Sequence, residues 1–243
     1  MKKITFLLFL IISINTICAQ EVKNNHHSSW NSIIPKINLT EQWHFTSEFH
    51  FRRTNFLTDW EQFIVRPSIH YKPSNAYDFA IGYSYIQNYT YSDFRIPINA
   101  NEHNVWQEIT LKHESEKLKF DHRFRLEERF IDKIIQSLTG TYTIDGTNYN
   151  NRFRYRLTLT RPIIKIEEEK FIFIKIFDEF FISLDKGIRP KTFNQNWLYI
   201  GLYYPIAKHF NLRLGYHNIG LQGGINTFIT NHILQTTINY AIN

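Results

Sequence analysis

Long stretches of this chain alternate between apolar and polar side chains, and no other feature limits its fold as strongly. From Leu118 to Phe130 one face carries Leu118, Phe120, Phe124, Leu126 and Phe130, interrupted by His122 and Glu128; the other carries Lys119, Asp121, Arg123, Arg125, Glu127 and Arg129. From Arg152 to Thr160, Phe153, Tyr155, Leu157 and Leu159 oppose Arg152, Arg154, Arg156, Thr158 and Thr160. Trp43, Phe45, Phe49 and Phe51 oppose His44, Thr46, Glu48, His50 and Arg52, and Tyr77 to Tyr85 repeats the pattern against Asp78, Ala80, Gly82 and Ser84. A period of two is that of a β-strand with two unlike faces. Soluble strands run roughly 5–6 residues, whereas a tilted strand crossing a bilayer needs about 9–11. The alternating stretches here repeatedly reach the larger figure.

Connections alternate as well. Short turns are expected near residues 73–75, 114–116, 166–168 and 206–208, and longer polar loops at 90–101, 131–150, 183–193 and 219–227. Short turns on one side and long loops on the other, with many strands ending in Tyr, Trp or Phe, are the pattern of an outer-membrane barrel. The fold class is therefore all-β: a single antiparallel transmembrane β-barrel with up-and-down topology. Strands at 42–53, 59–72, 77–90, 102–114, 118–131, 150–161, 169–182, 194–204, 209–218 and 228–242 make ten, with twelve as the alternative, because single-chain bacterial barrels normally have an even count. On this reading residues 41–243 form the barrel, and residues 21–40, including the strand-like Trp30 to Leu39, are an N-terminal lead-in or plug.

Residues 1–20 read as a secretory signal peptide: Lys2 and Lys3 precede an apolar run from Ile4 to Ile12, which leads to the small residue Ala19. The run is too short to span a bilayer as a helix. Cys18 raises a lipoprotein anchor, but Asn15-Thr16-Ile17 is a poor lipobox. It is the one cysteine, so neither a disulfide framework nor a thiolate zinc site is available. The mean hydropathy of −0.35 excludes a bundle of membrane helices. The net charge of +6 falls by two when the signal lysines leave, and an exported chain has little access to nucleic acid. The basic excess belongs instead on the barrel's inner wall.

If the apolar faces meet lipid, the polar faces meet in the lumen. That places Arg52, Arg66, Arg123, Arg125, Arg129, Arg152, Arg154, Arg156 and Arg213 inside with Glu48, Glu102, Glu108, Asp121 and Glu127. Asp178 and Glu179 are adjacent, so only one can point inward; Glu179 is placed there with Lys175. A narrow barrel fills its interior with side chains, and arginine suits such a wall because its planar fork binds carboxylates at two points. The competing reading is a basic constriction that selects anions.

The same stretches carry a resemblance. Glu102-His103-Asn104-Val105-Trp106-Gln107-Glu108, Arg123 to Phe130, Asn151 to Leu157, Asp178-Glu179-Phe180-Phe181, Phe193 to Trp197 and Leu214 to Asn218 resemble, in that order, the bacterial outer-membrane proteins grouped as domain of unknown function 2490. The resemblance runs from about Trp30 to the C-terminus. It implies an outer-membrane barrel and supplies no catalytic residue. Asn104 and Trp197 depart from it, standing where arginine is expected.

Chemistry-bearing spacings are few. His113-Glu114-Ser115 puts a histidine and a serine on one strand face, as in outer-membrane phospholipases, but Glu116-Lys117 follows where those carry Asn-Gly and no third member is apparent. His26-His27 reads as a solvated tail. Gly223-Gly224 and Asp145-Gly146 read as turns. No catalytic residue, metal set or cofactor is assigned. The expected function is a structural or narrow small-solute barrel in the outer membrane with a charge-packed lumen. Its partners are outer-membrane lipid and, during biogenesis, the barrel-assembly machinery. The alternatives are a lipid hydrolase, or a surface binding or adhesion protein acting through its extracellular loops.

Overall fold

A strand with one polar and one apolar face is stable only if each face meets a matching solvent and every backbone N–H and C=O finds a partner. A closed barrel meets both demands, and the computed structural model is one. It describes residues 21–91, 96–167, 170–184, 190–224 and 227–242; the expected signal peptide, residues 1–20, lies outside them. Among the described residues eleven strands follow in chain order: β1 (Glu21–Asn38), β2 (Trp43–Thr54), β3 (Asp59–Ser74), β4 (Tyr77–Asn88), β5 (Ala100–Ser115), β6 (Leu118–Gln136), β7 (Tyr142–Glu167), β8 (Lys170–Leu184), β9 (Pro190–Ala207), β10 (Phe210–Gly224) and β11 (Thr227–Ile242). Each pairs antiparallel with its neighbours in sequence, and β1 closes the ring by pairing parallel to β11.

That closure corrects two expectations. Residues 21–38 are a wall strand, not a lead-in or plug, and the strand count is eleven, neither ten nor twelve. The odd number is accommodated because the first and last strands run the same way, with Ser28 beside Ile233 and Ile37 beside Ile242. Ser32 and Thr237, partners in that register, join their hydroxyls at 2.9 Å inside the seam. His26 and His27 therefore lie on a strand, not on a solvated tail, and the His27 ring stacks on His232.

The connections divide into two rims. At the lower rim the turns span residues 39–42, 75–76, 116–117 and 208–209. At the upper rim, the described residues between β4 and β5, 89–91 and 96–99, lie outside any strand, in line with the loop expected there, but 131–150 is not a loop. There β6 and β7 continue past Glu102 and Leu184, their last partners on β5 and β8, and pair with each other as a protruding hairpin. Its turn lies at residues 137–141, with Gly140 at φ +84°, a left-handed conformation that glycine adopts without a Cβ clash. Asp145-Gly146 is not the turn: Gly146 has φ +77° within β7, opposite the register shift between Asp132 and Ile134. Nor is 219–227 a long loop, since β10 runs to Gly224 and β11 begins at Thr227.

Burial is inverted relative to a soluble protein. Ile33, Phe79, Ile81, Val105, Ile109, Leu198, Ile200, Leu202 and Leu234 are exposed on the outer wall, while Arg125, Arg154, Glu127 and Glu179 are buried inside. In water, charged residues go inside only when paired, and exposed apolar area stays limited. The distribution fits hydrocarbon outside.

Inside, two glycine sites let large rings lie flat against the wall. Tyr199 covers the Gly201–Gly215 cross-strand pair, and Trp106 covers Gly82, with Arg125 stacked 3.9 Å from the Trp106 ring centroid. A Cβ at Gly82 would land on the Trp106 ring. Gly82→Ala is therefore expected to lower stability by about 1–3 kcal/mol, the usual cost of overpacking. The urea midpoint in detergent reads the loss, and adding Trp106→Leu should recover part of it. An unshifted midpoint for Gly82→Ala would mean that the ring does not rest there.

Candidate functional site

The inward arginines come from alternate positions of β2, β3, β6, β7 and β10, and the register brings like charges side by side. Arg123 of β6 lies opposite Arg156 of β7, and Arg125 opposite Arg154. Like charges directly across a sheet repel, so these pairs need carboxylates between them. Glu179 of β8, 0% exposed, supplies the first. It accepts hydrogen bonds from Arg123, from Arg154 Nε at 2.8 Å and from Arg156 Nε at 2.8 Å. Glu127, 1% exposed, accepts from Arg152 Nε and Arg154 Nη1, both at 2.7 Å. Arg154 thus bridges the two carboxylates.

Further pairs extend the layer around the wall. Glu108 accepts from Arg125 Nε at 2.6 Å and lies 3.5 Å from Arg123. Glu102 takes the Arg129 fork at two points, 2.6 and 2.7 Å. Glu48 meets Arg66 at 3.0 Å and His50 at 2.7 Å. Charge-assisted bonds of this kind are the strong ones in a low-dielectric interior. The layer occupies the lumen about halfway along β6, β7 and β8.

Three residues expected in the network stand apart from it. Arg213 donates to the Thr237 hydroxyl at 3.1 Å, Arg52 donates to Gln62 Oε1 at 2.5 Å, and neither has a carboxylate within 4 Å among the described residues. Asp121 likewise forms no ion pair there, because its register partners are Lys112, which turns to Asp78, and Thr158. Lys175 shares the inward face with Glu179, as expected, and among the described residues has no carboxylate within 4 Å. Asp178 points outward, where Asn196 Nδ2 donates to it at 2.5 Å.

Several lumenal groups carried no sequence signal. Glu61 reads as outward by alternation, but a register shift between Arg52 and Arg53 turns it inward, where it accepts from Trp30 Nε1 at 2.9 Å. His217, 3% exposed, is ringed by Trp30, Phe177, Trp197 and Tyr199, and its ring nitrogens have no hydrogen-bond partner among the described residues. Near the lower rim His44, His70 and Asp78 bring three ligand atoms within 4.8 Å of one another. Those groups are already engaged: His70 Nδ1 with Asp78 at 2.9 Å, His70 Nε2 with Thr46 and Ser68, and Asp78 with Lys112 Nζ at 3.2 Å. Of the two departures from the resemblance, Asn104 donates to Glu102 at 3.3 Å, and Trp197 packs on Phe181.

The hydrolase spacing does not assemble. The His113 ring stacks on Phe120 and His122, and Ser115 pairs with Leu118 at the turn; among the described residues no hydrogen bond joins His113 to Ser115.

A closed sheet with an apolar outer wall and an ion-paired interior defines the class: a β-barrel built for hydrocarbon outside and a charged lumen within. The chain belongs to the family described as "Protein of unknown function (DUF2490)", whose model matches residues 27–224. No curated protein matches it. Among solved structures it is similar to the β domain of the Bordetella autotransporter Brka, at 11% identity and a TM-score of 0.51, covering 83% of this chain and 84% of that one. It is also similar to the NanC porin, at 11% identity and a TM-score of 0.49, covering 88% of this chain and 99% of that one. At such identities the likeness concerns the fold.

Proposed function

We propose that the protein is a barrel of the bacterial outer membrane whose lumen passes only small solutes and favours anions. The observation that carries this reading is the layer in which Glu127 and Glu179, fully enclosed, tie together Arg123, Arg152, Arg154 and Arg156. The layer buries these charges at mid-height on the wall of β6, β7 and β8, which supports a narrow passage rather than a wide aqueous pore. Cations with no carboxylate within 4 Å among the described residues lie on both sides of it, Arg52 above and Arg213 and Lys175 below. A passage lined this way attracts anions from either rim. Outer-membrane placement is supported by the apolar outer wall and by the signal peptide expected from the sequence.

Cell fractionation with a heat-modifiability gel, followed by planar-bilayer recording, tests the proposal. The expected outcome is an outer-membrane protein with a heat-dependent mobility shift and small, anion-selective conductance. Glu127→Gln should loosen the layer and raise that conductance several-fold. Recovery from the soluble periplasm, or a large pore without ion selectivity, would overturn the reading.

A further inference from the structure

Between the ion-pair layer and the upper rim the lumen holds a cavity of about 180 Å³. At about 30 Å³ per water it has room for roughly six waters, or for a solute of similar size. Five arginines line it, and four are matched: Arg66 with Glu48, Arg129 with Glu102, Arg152 with Glu127, and Arg154 with both Glu127 and Glu179. The fifth is Arg52, 7% exposed, with no carboxylate within 4 Å among the described residues and with its Nε making no hydrogen bond. Its guanidinium lies 3.5 Å above the Trp30 ring and 5.5 Å from that of Trp197, which fixes its plane. A buried cation with no counter-charge in direct contact is an incomplete site, because burying an unpaired charge is costly.

The rest of the lining says what completes it. Ile64, Ile219 and Leu221 give the cavity an apolar side, continuous with a buried cluster of Trp30, Ile229 and Ile233. An inorganic oxyanion has nothing to place against such a wall, whereas a short organic acid has a carboxylate for the arginine fork and carbon for the wall. We infer that this cavity binds a small organic carboxylate, anchored by Arg52, on the upper side of the ion-pair layer. The inference rests on the reading of the lumen as a passage for small anions and names the class of solute. Glu61, in the same lining, is the intramolecular competitor for the arginine.

Tryptophan fluorescence of the detergent-purified barrel, titrated with propionate, propionamide and inorganic phosphate, tests the site. Propionate should give a saturable change, with phosphate and the neutral amide each weaker by roughly tenfold or more. Arg52→Gln should weaken propionate by a similar factor, Arg53→Gln at the rim should leave it unchanged, and Glu61→Gln should tighten it. Because Glu61→Gln predicts a gain, it keeps the test decisive even if Arg52→Gln fails to fold. Propionamide or phosphate binding as well as propionate, or indifference to both lumenal variants, would overturn the site. Binding without anion conductance would leave the site standing and sink the channel reading. Conductance without binding would sink the site alone.

Discussion

Glu179→Gln is expected to destabilise the barrel by about 3–5 kcal/mol, the cost of removing one partner from a buried ion pair. The glutamate is fully enclosed and serves Arg123, Arg154 and Arg156 at once. Without its charge, Arg156 loses its ion-pair partner and repels Arg123 across the strands, while Arg123 keeps only Glu108 at 3.5 Å. Arg154 keeps Glu127. Removing one of the stranded cations should therefore restore part of the loss, and Arg156→Gln added to Glu179→Gln should melt above the single variant, a coupling expected of groups in one network. The control is Glu114→Ala. Its pair with Lys119 at 2.9 Å has both side chains more than half exposed, so its loss should stay within roughly 0.5 kcal/mol. Urea titration followed by the heat-modifiability gel reads all three. Equal midpoints for Glu179→Gln and Glu114→Ala would mean that water screens the lumenal charges and the layer is open.

The faces of the wall were legible because a barrel in lipid imposes one rule on every strand. From Arg123 to Arg129 and from Arg152 to Arg156 the charges recur at every second position, and both stretches lie inside the lumen together. The rule is lost where its cause is lost. Above the membrane both faces of a strand meet water, so residues 131–150 show polar clusters and the adjacent pair Ile134-Ile135, and a β-hairpin there looks like a loop. At a bulge the parity slips by one, which hid Glu61 beside Trp30. The His44, His70 and Asp78 group comes from three strands and has no spacing to find. Asp121 has the right parity and still misses the network, since alternation chooses a face and not a partner.

The first strand was the largest such loss. Trp30 to Leu39 looks strand-like, but the even count usual in single-chain barrels leaves residues 21–40 as a lead-in or plug, and Ile33-Ile34-Pro35 interrupts the alternation that would argue otherwise. In the structure β1 stands between β2 and β11, and without it two sheet edges would face hydrocarbon with unpaired backbone groups, each costing several kcal/mol. Deleting residues 21–38 is therefore expected to abolish the compact, heat-modifiable form altogether. A gentler variant separates closure from mere loss of chain. The Ser32 and Thr237 hydroxyls lie 2.9 Å apart across the seam, so Ser32→Cys with Thr237→Cys places two thiols within reach of a disulfide. Oxidation should tie β1 to β11, and the heated protein should then run faster on the gel until reductant is added. A ten-stranded barrel with a free N-terminal segment makes the opposite demand: the deletion would keep its heat shift, and the cysteine pair would stay reduced.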